Sequence, residues 1–371
     1  MARAEAVVDL AAIRANVATL KRATTAEVMA VVKADGYGHG LLPAARAARA
    51  GGATWFGTAT IDEALALRAG GIEEPTLAWL WTPDESDAVR AAVAAGIDIS
   101  VSSRWQLGAV RAAAAAEGRP ARVHLKIDTG LSRNGSYVRD WPDLLDAVAK
   151  AQATADVAVI GVWSHLAYAD APGHPTIARQ IRAFREALEV AERAGVRPQV
   201  RHLANSAATL TLPEAHFDLV RPGVAVYGLT PVPEQGEFGL RPAMSLRARL
   251  AGVKRVRAGE GVSYGHVYTT SHETTLALVP LGYADGVPRS ATGLGPVSIN
   301  GTRFTISGRV CMDQFVVDVG DLPVAAGDQV VLFGPGQDGE PRAQDWADAL
   351  GTIHYEIVTR IGPRVPRTYL P

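Results

Sequence analysis

The sequence predicts an α/β protein, with an N-terminal TIM (β/α)8 barrel and a C-terminal, mainly antiparallel β domain. Two observations lead to this prediction. Over the first 240 residues, short β-branched runs alternate with longer alanine-rich stretches of helical character, which is typical of repeated βα units and a parallel sheet. After residue 240, strand-like runs follow one another across Gly, Asn and Asp turns.

The N-terminal half contains eight candidate strands, the number that closes a TIM barrel. They are Glu27–Val32, Thr54–Thr60, Thr76–Trp81, Asp98–Val101, Arg122–Ile127, Ala158–Trp163, Gln199–Leu203 and Phe217–Val220. The segments between them, such as IDEALALRAGG and ARQIRAFREALEVAERAG, carry strong helix formers and often end in Gly, a favoured helix stop. An open doubly wound sheet can be drawn from the same strands, but the strand count favours the barrel.

The C-terminal half has a different pattern. Candidate strands lie in MSLRARLAGVKRV, TTLALVPLGYADG, PVSINGTRFTISG, QFVVDVGDL and DQVVLFG, and one helix, AQDWADALG, interrupts them. The Pro- and Gly-rich segment PVPEQGEFGLRP marks the boundary between the halves. We therefore predict a barrel domain at residues 1–240 and a β domain at residues 241–371.

Charge and composition exclude several classes of function. The 371 residues include 37 Lys and Arg against 38 Asp and Glu, so a net charge of -1 gives no global field to attract nucleic acid or an anionic membrane. No stretch approaches the roughly 18 apolar residues of a membrane span, and no export signal is recognisable. The single cysteine, Cys311, cannot form an intrachain disulfide, which suits a reducing cytoplasm. We expect a soluble, cytoplasmic protein.

Polar residues follow several predicted barrel strands, where the loops of a TIM barrel build the active site. They are Lys33, Asp128, Arg133, His165, Asn205, Ser206, Arg221 and Gly223. Lys33 stands out because desolvation at the end of an apolar strand lowers the pKa of an amine, and a neutral amine forms an imine with an aldehyde. Two other interpretations stay open: a lysine that extends into solvent, or a glycine-rich nucleotide loop, although its GxGxxG spacing is incomplete.

The last two barrel loops have the features of a phosphate site. HLANSAATL places Asn205 and Ser206 at the start of a helix, and RPGVAVYGL places Arg221 and Gly223 after the eighth strand. Barrels commonly bind phosphate at these two loops through helix N-terminal amides and hydroxyls. Helix capping is the alternative role for Asn205 and Ser206. The nine histidines occur without HExxH or cysteine partners, so we expect no metal site.

Nine motifs together resemble the motif set of the alanine racemases, in order and along almost the whole chain. They are AVVKADGYGHG, HLKIDTGLSRNG, WSHLAYAD, HLANSAAT, RPGVAVYGL, VSYG, LGYADGVPR, CMDQ and IHYEIVTRI. The resemblance implies an enzyme dependent on pyridoxal 5'-phosphate (PLP), with a barrel domain, a β domain and an active site shared between the two subunits of a homodimer.

The resemblance also implies roles for residues that bind the cofactor. Lys33 would form the imine with PLP, and His165 would pack against the cofactor ring. Arg221 would face the pyridine nitrogen, and because a guanidinium does not release its proton, the ring would stay a weak electron sink that favours racemisation. The phosphate would be held by residues that match the family motifs: Tyr37, Ser206, Gly223, Val224 and Tyr355, with Asn205 beside them.

Racemisation needs an acid and a base on opposite faces of the substrate carbon. The resemblance implies Lys33 for one face and Tyr264, supplied by the other subunit, for the opposite face. A free tyrosine has a pKa near ~10, so Tyr264 would need help to act as a base, and His165 and Arg221 would form a relay toward it.

For the substrate, the resemblance implies that Arg133 and the Met312 backbone amide contact its carboxylate, with Asp313 nearby. Tyr283 would form an inner gate that favours a small side chain, and Asp170 and Arg289 would line the outer entry. Lys126 matches a lysine position that can be carbamylated to orient Arg133.

The leading hypothesis is an alanine racemase that supplies D-alanine for peptidoglycan. A racemase of another small amino acid such as serine, a non-catalytic PLP carrier and, more weakly, a metal-dependent barrel hydrolase are the alternatives.

Overall fold

A computed structural model describes residues 3–371, which form two compact units. The first unit comprises residues 13–36 and 41–240, and the second comprises residues 3–12, 37–40 and 241–371. The predicted domain limits, 1–240 and 241–371, differ from these units at the two short segments 3–12 and 37–40. Among the described residues, no helix is both long enough and apolar enough to cross a membrane.

The elements up to residue 240 alternate between strand and helix. The strands are β1 (Ala4–Asp9), β2 (Glu27–Val31), β3 (Trp55–Thr58), β4 (Thr76–Ala78), β5 (Asp98–Val101), β6 (Ala121–Lys126), β7 (Val157–Trp163), β8 (Val200–His202) and β9 (Leu219–Val220). The helices are α1 (Leu10–Arg22), α2 (Lys33–Tyr37), α3 (Leu41–Ala50), α4 (Ile61–Ala69), α5 (Ser86–Ala94), α6 (Arg104–Glu117), α7 (Trp141–Ala153), α8 (Pro175–Arg193) and α9 (Ser206–Thr211). Short 3-10 turns follow at Pro213–Ala215, Val224–Tyr227 and Pro233–Gln235.

Eight of these strands form one parallel sheet in the order β8-β7-β6-β5-β4-β3-β2-β9. The first strand of the barrel pairs with the last, Glu27 opposite Leu219. The ring closes between β8 and β9, where the Asp218 N–H donates to the Arg201 carbonyl at 3.0 Å. This closure confirms the predicted barrel and excludes the open doubly wound sheet.

The barrel forms because its strands are apolar on both faces. Strand β7 is buried at six of its seven positions, as expected where helices cover a parallel sheet from outside and side chains fill it from inside. Local signals set the helix ends. Helix α4 begins at Thr60 with a capping box to Glu63, and α6 ends at Gly118 in a left-handed conformation.

The second unit is built mainly from antiparallel strands. They are β10 (Met244–Arg249), β11 (Gly252–Val256), β12 (Gly261–Val262), β13 (Tyr268–Thr269), β14 (Thr274–Val279), β15 (Pro296–Ile299), β16 (Thr302–Thr305), β17 (Phe315–Gly320), β18 (Gln329–Phe333) and β19 (Arg367–Leu370). They form a six-stranded sheet in the order β16-β15-β18-β10-β1-β19, a three-stranded sheet β11-β14-β17 and a hairpin β12-β13. The antiparallel pairing confirms the predicted class of this half.

Several elements of the second unit escaped the sequence analysis: strand β1, the short strands β12, β13 and β19, and helix α11. Strand β1 pairs antiparallel with β10 and parallel with β19, so the start of the chain completes this sheet. The C-terminal half also has two helices, α10 (Ala343–Leu350) and α11 (His354–Thr359), where one was predicted. Helix α11 was missed because its β-branched residues, in the sequence HYEIVT, are typical of a strand.

Candidate active site

The carboxyl ends of the barrel strands bring several predicted residues to one end of the first unit. Lys33 lies two residues after β2, Lys126 is the last residue of β6, and His165 lies two residues after β7. Ser206 begins α9 after β8, and Arg221 directly follows β9. Because parallel strands all point their carboxyl ends the same way, these side chains share the end of the barrel that carries active sites in this fold.

Two tryptophans lie beneath the cationic groups, and we call them the aromatic floor (Trp79 and Trp163). Their ring centroids are 5.9 Å apart. The Lys33 Nζ lies 5.8 Å from the Trp79 ring, and the Lys126 Nζ and Arg221 Cζ lie 4.1 and 4.9 Å from the Trp163 ring. Cation–π attraction therefore partly offsets the cost of placing three cations side by side.

Burial and mutual repulsion lower the pKa of the amines. Burial lowers the pKa of Lys33, nearby Arg133 lowers it further, and the carboxylate of Glu63 acts in the opposite direction. Burial lowers the pKa of Lys126 to about 7, with Arg221 and Arg133 adding to the effect. An amine with a lowered pKa is neutral for a larger fraction of the time near pH 7, so both lysines gain nucleophilic character.

The two terminal nitrogens of the buried Arg221 guanidinium face hydrogen-bond acceptors. Its Nη2 donates to the carbonyls of Ser164 and Leu203 at 2.7 and 3.1 Å and lies 3.4 Å from His165 Nδ1. Its Nη1 donates to His202 Nδ1 at 3.1 Å. Burial lowers its pKa to about 9, which leaves the guanidinium charged at neutral pH. No hydrogen bond joins its Nε–H to another described residue, so this donor remains available to a ligand.

A chain of hydrogen bonds continues from Arg221 through the barrel interior, and we call it the histidine relay (Arg221, His202, His124 and Asp98). His202 Nε2 lies 2.8 Å from His124 Nδ1, and His124 Nε2 lies 3.1 Å from Asp98 Oδ2. Asp98 also pairs with Arg122. Because Arg221 can only donate, His202 must accept at Nδ1 and donate at Nε2, and His124 must then donate to the carboxylate. Each imidazole is thus assigned one neutral tautomer.

Neighbouring charge and burial agree with these neutral tautomers. Burial lowers the pKa of His202 well below its usual range, and Arg221 lowers it further. Burial and Arg221 act on the pKa of His165 in the same way. The relay therefore holds Arg221 in one orientation without adding a second positive charge beside it.

Two glycines in the barrel strands make room for this arrangement. A Cβ at Gly161 would collide with the ring of His124, and one at Gly57 would lie 2.8 Å from Trp79 and 3.0 Å from Met29 Sδ. Both glycines have ordinary strand conformations, so they are needed for space and not for backbone freedom.

The loops after β8 and β9 form a small cradle of hydrogen-bond donors. The Ser206 Oγ accepts from the backbone N–H groups of Gly223 and Ala225 at 2.8 and 3.3 Å, which joins the two loops. Asn205 caps α9 by accepting from the Ala208 N–H at 3.1 Å. Ser206 and Val224 each begin a helical turn, where the first N–H groups have no partner within the helix. Such N–H groups suit a phosphate.

One acidic residue of this barrel end, Asp128, is already engaged by backbone amides. Asp128 Oδ1 accepts from the N–H groups of Gly130, Leu131 and Ser132 at 2.9, 3.0 and 3.1 Å. Its carboxylate thereby shapes the turn that carries the exposed Arg133. With that carboxylate committed to backbone amides, the lysines and arginines of this barrel end are available to attract an anionic ligand.

The backbone of α2 after Lys33 adopts a left-handed conformation, so this segment is a left-handed turn and not a regular α-helix. Ala34, Asp35, Gly36 and Tyr37 have φ values of 53, 53, 62 and 53°. This conformation costs an L-residue roughly 1–2 kcal/mol, so a run of such residues is strained unless other groups hold it. The Asp35 carboxylate accepts from the Leu41 N–H at 2.8 Å, and the Ala34 N–H donates to Glu63 at 2.6 Å.

Most of the other predicted residues lie in the second unit. Tyr37 and Tyr355 are neighbours with ring centroids 6.3 Å apart, and burial, with Tyr355 adding to it, raises the pKa of Tyr37. Tyr283 and Met312 lie on adjacent backbone segments, since the Tyr283 N–H donates to the Cys311 carbonyl at 3.1 Å. Tyr264 is 71% exposed.

Asp313, also in the second unit, pairs with Arg364 at 2.8 Å. Arg364 also pairs with the buried Asp285, at 3.2 Å. The loop that carries Met312 and Asp313 is thereby tied to the turn that follows Tyr283.

Several residues of the site were not predicted. They are Glu63, Trp79, Asp98, His124, Trp163 and His202. Trp163 and His202 lie in the quoted segments WSHLAYAD and HLANSAAT, and Glu63 lies in the capping box of α4. Asp98 and His124 face the barrel interior from apolar strands, where a polar side chain is a signal for a buried partner.

Comparison with known families now identifies the chain. The family model described as alanine racemase, N-terminal domain, matches residues 8–231, and that described as alanine racemase, C-terminal domain, matches residues 243–369. The chain belongs to the alanine racemase family. Members of this family are isomerases, and the family is PLP-dependent.

Individual alanine racemases are similar to this protein along nearly the whole chain. An alanine racemase from Salinispora arenicola is 63% identical over 370 residues, which cover 100% of this chain and 99% of the relative. One from Thermobifida fusca is 60% identical over 367 residues, which cover 99% of this chain and 98% of the relative. The crystal structure of alanine racemase from D-cycloserine-producing Streptomyces lavendulae matches 100% of this chain and 98% of its own, at 57% identity and a TM-score of 0.98. The alanine racemase from Streptomyces coelicolor A3(2) matches with a TM-score of 0.97 and the same identity, covering 99% and 98%.

The histidine relay gives a testable prediction. Asp98→Asn replaces one of the two accepting oxygens by an NH2 donor, so either Arg122 or His124 loses its acceptor. We expect a loss of about 1–3 kcal/mol in the free energy of unfolding, measured by urea titration. The imidazole ¹⁵N chemical shifts then report which partner is lost, because an amide NH2 that faces His124 requires the other tautomer, whereas one that faces Arg122 leaves the tautomer unchanged.

The control is Asp156→Asn, which removes the partner of Arg111 from a solvent-accessible ion pair. We expect a smaller stability loss there and no change in the imidazole signals. Wild-type ¹⁵N chemical shifts that place the proton of His124 on Nδ1 would contradict the assigned tautomers.

Proposed function

We propose that this protein interconverts L-alanine and D-alanine with PLP as its cofactor. The observation that carries the proposal is the pair formed by Lys33, an amine with a lowered pKa, and Arg221, a charged guanidinium whose Nε–H is not bonded to a described residue, at the same end of the barrel. Membership of the alanine racemase family along the whole chain supports the choice of alanine.

The donor set of the barrel fits PLP. The N–H groups at the start of α9 and of the turn Val224–Tyr227 suit its phosphate, Arg221 Nε–H suits its ring nitrogen, and the Lys33 amine suits its aldehyde. We propose that Ser206, Gly223 and Val224 hold the phosphate, together with Asn205 and the tyrosine pair Tyr37 and Tyr355. When bound, PLP supplies an aldehyde for the amino group and an aromatic ring that delocalises electrons from the α-carbon.

Two groups of the protein move the proton. Lys33 takes or returns the α-proton on one face of the substrate, and its lowered pKa favours the neutral amine that this role needs. On the opposite face this role falls to Tyr264 of the partner subunit, which is exposed in the single chain and therefore accessible to a second copy. The protein is accordingly proposed to be a homodimer with shared active sites.

Arg221 controls the fate of the electrons at the α-carbon. It donates a hydrogen bond but keeps its proton, and the histidine relay fixes its direction. Because Arg221 keeps its proton, the ring nitrogen of a bound PLP would stay unprotonated and would withdraw electrons weakly, which would favour return of the proton to the α-carbon. This favours racemisation over transamination. His165 Nδ1 lies 3.4 Å from Arg221 Nη2. We propose that the cofactor ring packs against the His165 imidazole.

Arg133 and the loop of Met312 and Asp313 are proposed to bind the substrate carboxylate. Arg133 offers a planar fork of N–H donors, and the exposed loop carries a backbone amide at Met312. Tyr283 is proposed to limit the side chain to about the size of a methyl group. With a cytoplasmic location, the product D-alanine is proposed to supply peptidoglycan precursors.

Lys33→Ala should abolish racemisation. General base catalysis contributes about 10²–10⁴-fold, so we expect a loss of at least that order in the appearance of solvent deuterium at the α-carbon of alanine. Lys254→Ala, at an exposed strand position, is the control. Undiminished exchange in Lys33→Ala would reject its role.

The same exchange assay separates the alternatives. Faster exchange on serine than on alanine would point to another racemase. PLP binding without exchange would point to a carrier, and hydrolysis that chelators abolish would point to a metal enzyme.

Subunit complementation tests the shared site. Lys33→Ala and Tyr264→Phe should each be inactive alone, but a mixed dimer has one site with both native groups. Random reassortment of equal amounts should therefore restore about one quarter of wild-type activity, since half of the dimers are mixed and each has one of two sites intact. Activity that stays absent after verified exchange of subunits would contradict a site shared in this way.

Lys126 is proposed to be carbamylated. Its pKa of about 7 leaves a large neutral fraction that can add CO2, releasing a proton and leaving an anion. The anion would turn repulsion from Arg221 and Arg133 into attraction. Intact-mass spectrometry under CO2 should show one adduct that Lys126→Ala lacks and Lys254→Ala retains, and its persistence in Lys126→Ala would reject the site.

A further inference from the structure

One carboxylate connects the ends of two adjacent barrel strands. Glu63 Oε1 accepts from the Ala34 N–H at 2.6 Å, immediately after Lys33. Its Oε2 accepts from the Ala59 and Thr60 N–H groups at 2.9 and 3.2 Å, immediately after β3. The side chain therefore fastens the residue beside the imine-forming lysine to the neighbouring strand end.

Helix capping explains only half of these contacts. In a capping box, the acidic side chain at the third helical position accepts from the N-cap N–H, and here Oε2 does so for Thr60, whose Oγ1 accepts from the Glu63 N–H at 3.3 Å. The second oxygen is not needed for the cap. It is directed instead to Ala34, 29 residues earlier in the chain.

The segment that receives this bond needs a restraint. Ala34, Asp35 and Gly36 are consecutive left-handed residues, and Ala34 has a Cβ that disfavours this conformation. Gly36 is held by its N–H bond to the Val32 carbonyl at 2.8 Å, and a Cβ there would lie 3.1 Å from Ala44. Without the bond to Glu63, Ala34 would be free to return to a right-handed or extended conformation, which would redirect Lys33.

The charge of Glu63 also acts on the Lys33 amine. The charged groups that act on Lys33 are Arg133 and Lys126, which favour the neutral amine, and Glu63, which favours the ammonium. Glu63 lies in the first turn of α4, where the helix dipole stabilises a carboxylate.

We propose that Glu63 is a positioning residue for Lys33: it holds the left-handed turn that directs the amine and balances the cations around it. This inference rests on the proposed function, since it concerns the lysine that forms the imine. Glu63 does not itself contact the substrate in this proposal. It acts through the Ala34 N–H and through its charge.

The test compares Glu63→Gln with Thr60→Ala. Glutamine keeps one accepting oxygen and loses the charge, so Ala34 and the cap cannot both be satisfied. Thr60→Ala weakens the same capping box but leaves the Glu63 bond to Ala34. Each protein, and the wild type, is freed of cofactor and mixed with PLP across a pH series. Borohydride reduction followed by peptide mass spectrometry then measures the rate of adduct formation at Lys33.

We expect Glu63→Gln to slow adduct formation on the order of tenfold, as for loss of a charged hydrogen bond. The pKa of the Lys33 amine, read from the pH dependence of the rate, should shift downward because Glu63 raises it in the wild type. Thr60→Ala should lower the melting temperature but should match the wild type in the rate of adduct formation and in the pKa of Lys33. If Glu63→Gln does not fold, Glu63→Asp replaces it, with a slower rate and an unshifted pKa expected.

Three outcomes would overturn the inference. Equal rates and pKa in the Glu63 variant and the wild type would do so, as would an identical effect of Thr60→Ala. Wild-type protein that forms no adduct at Lys33 would overturn the cofactor proposal as well, so the two failures are distinguishable.

Discussion

Positive charge gathered at the carboxyl ends of the barrel strands is the constraint on which the rest of this protein depends. Lys33, Lys126 and Arg221 lie over two tryptophan rings, and the charge of Arg133 lowers the pKa of both lysines. Like charges in a partly buried site repel one another strongly. The site stands because the rings attract the cations, because the amines have lowered pKa values, and because backbone carbonyls surround the guanidinium.

This constraint explains the unusual polar core beneath the site. A barrel interior is normally filled by branched apolar side chains, yet here two histidines and an aspartate cross it in a line. Each group has a partner, so none carries the desolvation penalty of an unsatisfied polar atom. Their order also matters. Because the guanidinium at one end can only donate and the carboxylate at the other end can only accept, the tautomer of each histidine between them is fixed.

Much of this organisation could be predicted from the sequence, and the exceptions have physical causes. The eight barrel strands were located to within a few residues because most of them are short, largely apolar runs between helix formers. Strand-end residues such as Lys33 and Arg221 follow from the barrel alone. Trp79 and His124 did not, since the sequence does not specify which interior side chains of different strands meet. Strand β1 was missed because its partners lie more than 200 residues away. Glu63 was missed because its sequence position indicates only a helix cap, whereas its second hydrogen bond goes to Ala34, 29 residues earlier.

The long-range pairing of β1 bears on how the chain reaches its final form during synthesis. Ala6 lies opposite Leu246 on one side and Arg367 on the other. The barrel strands between them can associate with sequence neighbours as they emerge, whereas β1 must remain unpaired until both partners have left the ribosome. Contacts of such large sequence separation form slowly. Completion of that sheet, in which β1 lies between β10 and β19, is therefore expected to be the late step of folding.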